Sequence, residues 1–402
     1  MQHSTHSSQT PLFPCRVLTP LLGLLLSVAV AGIASAADAP VRTMRVPNGG
    51  GHPQAVADAQ GKIHLLYFKG DAGGGDVFYV RSDDGGATFA KPLQVNSQPK
   101  SVIIAGTVRG PHLAIGRGGR VHVAWMGSSS AEPRMGKLAP MLYTRMTDAG
   151  DGFEPQRNVV AAHPGLDGGG SVAADADGNV YVAWHAPEDH GRKDGEEGRH
   201  VWLARSTDDG KTFAPERRVN PEPTGVCACC GMRIFAGPAG RLFVIYRSAK
   251  AVVNRDVTLL VSDDRGATFS VAATDPWKIG ACMMSTASFA VAPRNTVLAA
   301  WETQHQIRMS RIGDQAKKAD APRSTPGEGN NRKHPSIAVN KAGQVLLTWT
   351  EETRWATGGS IAWQLFDAAN EPIAMQGRAR DLPVWGVPAV VTCSDGSFLI
   401  IY

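Results

Sequence analysis

The chain has 402 residues, 45 of them glycine and 26 proline, with 43% hydrophobic and 19% charged residues; this is the make-up of a turn-rich globular protein long enough to bury a sizeable core. The formal charge of +5 comes from basic residues scattered along the chain, so it is a weak argument for anionic partners and no argument for nucleic acid.

The first 36 residues read as an address. Leu21 to Ser35 is an unbroken apolar and small run, LLGLLLSVAVAGIAS, preceded by one basic residue, Arg16, and followed by Ala34-Ser35-Ala36 before Ala37. That is a signal peptide with an A-x-A cleavage site, and the mature protein is expected to be exported, periplasmic or extracellular. Cys15 precedes the run, so it is not a lipobox cysteine. No later stretch reaches the ~18 apolar residues that a membrane span needs, and no membrane association is expected after cleavage.

Val41 to Val46 follows as a strand without a neighbour. From there one pattern recurs: an apolar strand, a turn usually containing glycine, and a second strand ending in an aromatic. Its copies close at Tyr67, Trp125, Trp184, Tyr246, Trp301, Trp349 and Tyr402, and seven align without a gap. The steps between closing aromatics are 58, 59, 62, 55, 48 and 53 residues, room for one four-stranded sheet each. Period-two alternation, as in Arg120 to Trp125, is the strand signal, and no helical periodicity competes. A sheet with two apolar faces must stack on equivalent neighbours, and stacking closes radially. The expected fold is therefore all-β, a single β-propeller domain over residues 37–402 with four-stranded antiparallel blades, seven by repeat count. The last copy ends after two strands, so Val41 to Val46 is expected to complete its sheet and close the ring.

Three segments match S-x-D-x-G-x-T-F: Ser82 to Phe89, Ser206 to Phe213 and Ser262 to Phe269. Met146 to Phe153 keeps Asp148, Gly150 and Phe153 of the pattern. In such a turn the Asp accepts backbone and hydroxyl hydrogen bonds, the Gly takes a positive φ, and the aromatic buries between sheets. These segments resemble the Asp-box, or BNR repeat, of the sialidase superfamily; with the strand repeats the resemblance covers nearly all of residues 41–402. Because sialidases have six blades, six is the alternative count. The turns join third and fourth strands, which places function at the opposite face, where each repeat begins.

Sixteen positions before the closing aromatics stand Gly51, Arg109, Gly168, Cys230, Ser285, Lys333 and Gly386, followed by His52, Gly110, Gly169, Gly231, Thr286, His334 and Val387. The resemblance implies an exported glycosidase or carbohydrate-binding relative that needs no cofactor and acts as a monomer on a carbohydrate or other small anionic ligand. Arg109-Gly-Pro111 sits where the family's R-I-P arginine would, in the second repeat instead of the first. Glu302 and Glu351, just past Trp301 and Trp349, would be the acid/base pair, and Tyr246 is the tyrosine nearest the rim. Arg247, Arg332, Lys333 and Arg354 are expected to bind substrate there. All six tyrosines fall where strand packing wants an aromatic, which weakens the resemblance at the nucleophile.

A different chemistry is offered by Cys227, Cys229 and Cys230 leading into the fourth repeat and Cys282 leading into the fifth. In an exported protein these form one or two disulfides, for instance Cys282 with Cys229 or Cys230. The alternative is a copper or zinc site, or a redox-partner site, with Met284, His52 and His334 as further ligands. Cys393 reads as a core thiol, and His64 and His122 as inter-sheet histidines. The polar insertion His185 to His200 reads as a solvated loop or a lid.

Overall fold

A computed structural model describes residues 40–189, 195–221, 223–329 and 331–402; the expected leader, residues 1–36, lies outside the described residues. Seven sheets surround one axis, and the inner strand of each touches the inner strands of its two neighbours. The inner strands are Gly51–Ala57, His112–Ile115, Gly170–Ala174, Arg233–Ala236, Ala287–Ala292, Lys333–Val339 and Ala389–Thr392. Blade count is thus seven, and the six-bladed alternative falls away.

Six blades have four antiparallel strands in chain order from the axis outward. The seventh has three: Ala389–Thr392, Phe398–Ile401, and Val41–Met44 from the other end of the chain. The closing strand runs parallel to its partner, with Val41 opposite Phe398 and Met44 opposite Ile401. The direction follows from connectivity. In every blade the last strand runs toward the face where the next inner strand begins, and Val41–Met44 does the same before Gly51. Since the seventh blade has no third strand of its own, this strand takes the vacant place beside Phe398–Ile401, whose direction it shares.

Alternation places a core on both faces of each blade. Val121, Val123 and Trp125 pack with Leu66, Phe68 and Tyr79 of the first blade, whereas Ala124 and Met126 pack with Val182, Trp184 and Trp202 of the third. Trp125, Trp184 and Trp301 are almost fully buried, each contributing roughly 3 kcal/mol by burial. His64 and His122 lie between sheets, their Nδ1 atoms 2.8 Å from the hydroxyls of Tyr79 and Tyr143.

The three full Asp-box turns share one bonding pattern. Asp84 accepts from the Ser82 hydroxyl at 2.7 Å, the Thr88 amide at 2.9 Å and the Thr88 hydroxyl at 2.6 Å. Asp208 and Asp264 repeat these bonds within 0.1 Å. At Asp208 burial works to raise the carboxyl, but the hydrogen bonds from Ser206 and Thr212 outweigh it and hold the group well below the usual carboxylate range. Phe89, Phe213 and Phe269 each reach back to the core shared with the preceding blade. These turns all lie at one end of the axis, and the loops leading into the inner strands lie at the other.

Candidate functional site at the channel mouth

The inner strands enclose an axial cavity of about 580 Å³. At the end opposite the Asp-box turns, loops from five blades meet. Gly106, leading into the second blade, lies against the Arg109 guanidinium, the Met284 methyl from the fifth blade and the Trp355 ring from the sixth. Gly168, leading into the third, lies against the carbonyls of Ala228 and Cys230, and the Gly231 amide donates to the Ser285 carbonyl at 3.0 Å. Only glycine fits here, because a Cβ at Gly168 would stand 2.5 Å from the Cys230 oxygen.

Arg109 is held in place by the protein itself. Its Nε donates to the Asp167 carbonyl, Nη1 to the Ala105 carbonyl and Nη2 to the Asp167 carboxylate, all at 2.6 Å. His52 reaches over Gly110, and its Nδ1 is 3.0 Å from the Trp385 carbonyl. His334 Nδ1 is 3.5 Å from the Thr286 hydroxyl. Burial keeps both imidazoles neutral, with His52 lowered to about 4 and His334 to about 3. His52, Met284 and His334 all have left-handed backbone, φ 51, 47 and 50, a strain that clusters at sites more often than in ordinary loops.

The two glutamates sit in separate ion pairs. Glu302 is buried, with Oε2 accepting from Arg247 at 2.8 Å and Oε1 from the His305 amide at 3.1 Å. Glu351 accepts on Oε1 from the Trp349 indole at 3.0 Å and from Arg332 at 3.2 Å. Lys333 lies within electrostatic reach of Glu302, and Arg354 is exposed on the loop that carries Trp355. Tyr246 and Arg247 are consecutive on one strand and face opposite sides. Arg247 faces the fifth blade, while the Tyr246 ring packs in the core shared with the third and its hydroxyl is 2.8 Å from that of Thr224. The tyrosine therefore points away from Glu302.

Burial pushes the Glu302 carboxyl up to about 7, against the pull of Arg247. The folded protein then holds a proton that the unfolded chain releases above its ordinary value of 4.5, so stability falls as pH rises from there to about 7. Glu302→Gln is expected to flatten this dependence, measured as melting temperature against pH for both proteins. Parallel curves would show that Glu302 does not titrate in that window.

The cysteines divide. Cys229 and Cys282 form a disulfide that ties the loops of the fourth and fifth blades, Cα to Cα 6.4 Å. Cys227, Cys230 and Cys393 are free and buried. The Cys227 and Cys230 sulfurs are 3.3 Å apart, and Cys227 is 3.6 Å from the Cys229 sulfur. A hydrogen bond from the Cys227 thiol draws the Cys230 thiol down despite burial, with Arg247 and the amides of Ser285 and Met284 assisting. The same bond pushes Cys227 up. Trp277, Met283 and Ala249 enclose the pair. From the insertion, Glu196 accepts from the Ala228 amide at 2.6 Å and pairs with Arg255 at 2.6 Å, so its described part buttresses the cysteine loop; residues 190–194 lie outside the described residues. Met284 reaches Gly106, and His52 and His334 line the channel, so the sulfurs and imidazoles expected together lie on two separate features.

Two aromatics at the mouth carry no sequence signal. Trp355, 62% exposed, meets Trp385 edge to face with ring centroids 4.9 Å apart. Both lie in loops outside the repeat alignment, which compares strands only.

No protein-family model matches the sequence, and neither does any curated protein. Solved structures do resemble it. The α-L-arabinanase of Penicillium chrysogenum, solved with arabinobiose, is 13% identical with a TM-score of 0.50, over 83% of this chain and 97% of that one. The sialidase of Trypanosoma rangeli is 14% identical with a TM-score of 0.50, over 79% of this chain and 56% of that one, so the present chain spans just over half of the sialidase. A Dyadobacter fermentans protein of unknown function aligns at 16% identity and a TM-score of 0.49, over 72% of this chain and 92% of that one. At these identities the likeness is one of fold: the chain is a seven-bladed β-propeller.

Proposed function

We propose that this protein is an exported, carbohydrate-directed propeller that binds a sugar at the channel mouth opposite the Asp-box turns. The observation that carries the reading is Trp355, a large aromatic face left 62% exposed beside Arg109 and Met284 and braced by Trp385. An exposed indole of this kind stacks on the apolar face of a pyranose, while polar groups at the rim bond its hydroxyls. Complexed arabinobiose in the arabinanase of the same fold supports the reading. Binding is favoured over hydrolysis: both Glu302 oxygens are taken, Glu351 is paired elsewhere, and Tyr246 faces away, so these three do not form an acid and nucleophile around one free space. On a glycan array followed by calorimetry, the mature protein is expected to bind at least one glycan class, and Trp355→Ala to weaken it tenfold or more. Undiminished binding by the variant, or none by the wild type, would sink this assignment.

The sulfur cluster favours a second reading. The sulfurs of Cys227, Cys229 and Cys230 lie within 4.8 Å of one another, but Cys229 is committed to Cys282, which leaves two thiols. Two thiolates suit Cu(I) better than zinc, whose structural sites take four ligands. Anaerobic Cu(I) titration is expected to saturate near one equivalent and to fail in Cys230→Ser. Equal uptake by both proteins would remove the site.

A further inference from the structure

Below the mouth, a second level of the channel carries chemistry that the sugar site does not use. The residues thirteen positions before each closing aromatic occupy the same rung of their sheets: Gln54 pairs with Leu66, His112 with Ala124, Ser171 with Ala183, Arg233 with Ile245, Ser288 with Ala300, Ser336 with Thr348, and Ala389 with Ile401. Six of the seven line the cavity, and Ser171 is buried behind it. Equivalent register puts them at one height, two residues deeper than His52 and His334.

This level is cationic and rich in donors. Arg233 has one hydrogen-bond partner among the described residues, the Gln54 side-chain oxygen, 3.2 Å from Nη1. Among the described residues no carboxylate pairs with it. Among the described residues the cavity has a single acidic lining residue, Asp58, which lies at the far end and is engaged by the Gln60 and Lys62 amides at 2.9 Å and by His64 at 3.2 Å. His112 is 7% exposed, and its Nδ1 has no hydrogen-bond partner. Burial draws Arg233 down to about 10, while an imidazole as buried as His112 stays neutral. Arg233 is half-buried on the cavity wall, where a guanidinium without a carboxylate partner attracts an anion more strongly than it would in open water, and the buried His112 Nδ1 without a partner is a further cost to the fold. A guanidinium without a carboxylate and an imidazole beside it, both lining one cavity, suit a ligand that is anionic and accepts hydrogen bonds.

We propose that this level of the channel is a binding site for a small oxyanion, gripped by the Arg233 fork with the His112 imidazole beside it. Arginine meets carboxylate and phosphate alike through two parallel hydrogen bonds. The oxyanion is thus either a free inorganic ion or the carboxylate of a sugar acid whose ring lies at the mouth.

The test is calorimetry and thermal melting of the mature protein with inorganic phosphate, sulfate, glucuronate and, as the uncharged control, glucose. At least one oxyanion is expected to bind at a single site and raise the melting temperature, and glucose not to substitute for it at this site. Arg233→Gln is expected to fold, to melt no lower than wild type without ligand because the unpaired charge is gone, and to lose tenfold or more in oxyanion affinity. Arg233→Lys, which keeps the charge and loses the fork, should fall between. Trp355→Ala separates the sources. If it spares phosphate or sulfate, the site takes a free ion whatever the fate of the sugar reading. If only glucuronate binds and Trp355→Ala weakens it too, the anion is a sugar carboxylate. Wild type that binds none of the oxyanions, or Arg233→Gln that binds them equally well, overturns the proposal; a purely structural Arg233 would instead show as a lower melting temperature with affinity unchanged.

Discussion

A mature chain shortened to begin at Pro47 is expected to lose on the order of 5 kcal/mol of stability and to associate through its seventh blade. The segment removed holds that blade on both registers: Phe398 donates to the Pro40 carbonyl at 3.0 Å, Tyr402 to the Met44 carbonyl at 3.1 Å, and Val46 to the Tyr402 carbonyl at 3.0 Å. Without it a two-stranded sheet is left, marginal alone, and the edge of Phe398–Ile401, all four residues buried, becomes a template for pairing between molecules. Arg45 would also leave the Tyr402 ring, 4.2 Å below its guanidinium. Denaturant unfolding and size-exclusion chromatography on both chains check this. A monomer of unchanged midpoint would mean that the ring is closed by contacts other than this strand.

Cys282→Ser is the second substitution with a large effect. The bond from Cys229 to Cys282 spans 53 residues, and a cross-link closing a loop of that length removes about 4 kcal/mol of chain entropy from the unfolded state. That estimate is an upper one here, since Cys229, released, stands 3.6 Å from the Cys227 sulfur and can be oxidised with it into a much shorter loop. The denatured wild-type protein, once the leader with Cys15 is gone, is expected to titrate three thiols, Cys227, Cys230 and Cys393. Under reducing conditions the variant should match reduced wild type in stability; under oxidising conditions it should fall below the disulfide-bonded wild type by about 2–4 kcal/mol. Wild type with a single thiol would instead mean that Cys227 and Cys230 are also bonded.

How far the sequence reaches depends on how local each interaction is. The alternation in Arg120 to Trp125 needs only the pleat of one strand, and the Asp84 hydrogen bonds need only four residues of turn, so both are written in adjacent positions. The pairing of inner and second strands follows from such turns, which is why counting back from the closing aromatics reproduces the rungs of all seven blades, Arg233 included. Direction of the closing strand is less local. It depends on which edge the seventh blade leaves open, and the repeat count alone does not say that Val41–Met44 must run parallel to Phe398–Ile401 in a three-stranded sheet.

The site was legible as a neighbourhood and opaque in its contacts. Arg109, Cys230 and His334 do meet at one mouth, because radial closure brings every inner strand's first residue there. Yet nothing in the order of residues says that Arg109 spends its guanidinium on Asp167, that Glu302 is buried against Arg247, that Cys282 bonds Cys229 and not Cys230, or that Trp355 and Trp385 cross over the opening.

By itself, then, the order of amino acids determined the repeat, the Asp-box turns and the end of the axis at which loops gather, since each rests on hydrogen bonds and alternation within a few residues, whereas the choice of seven blades over six waited for the sheets themselves. Which side chains face one another across the mouth, and which are left without a partner in the channel beneath it, was decided only by the tertiary structure. The twist and spacing of seven packed sheets set those distances, and residues more than a hundred positions apart become neighbours there with no local signal to announce it.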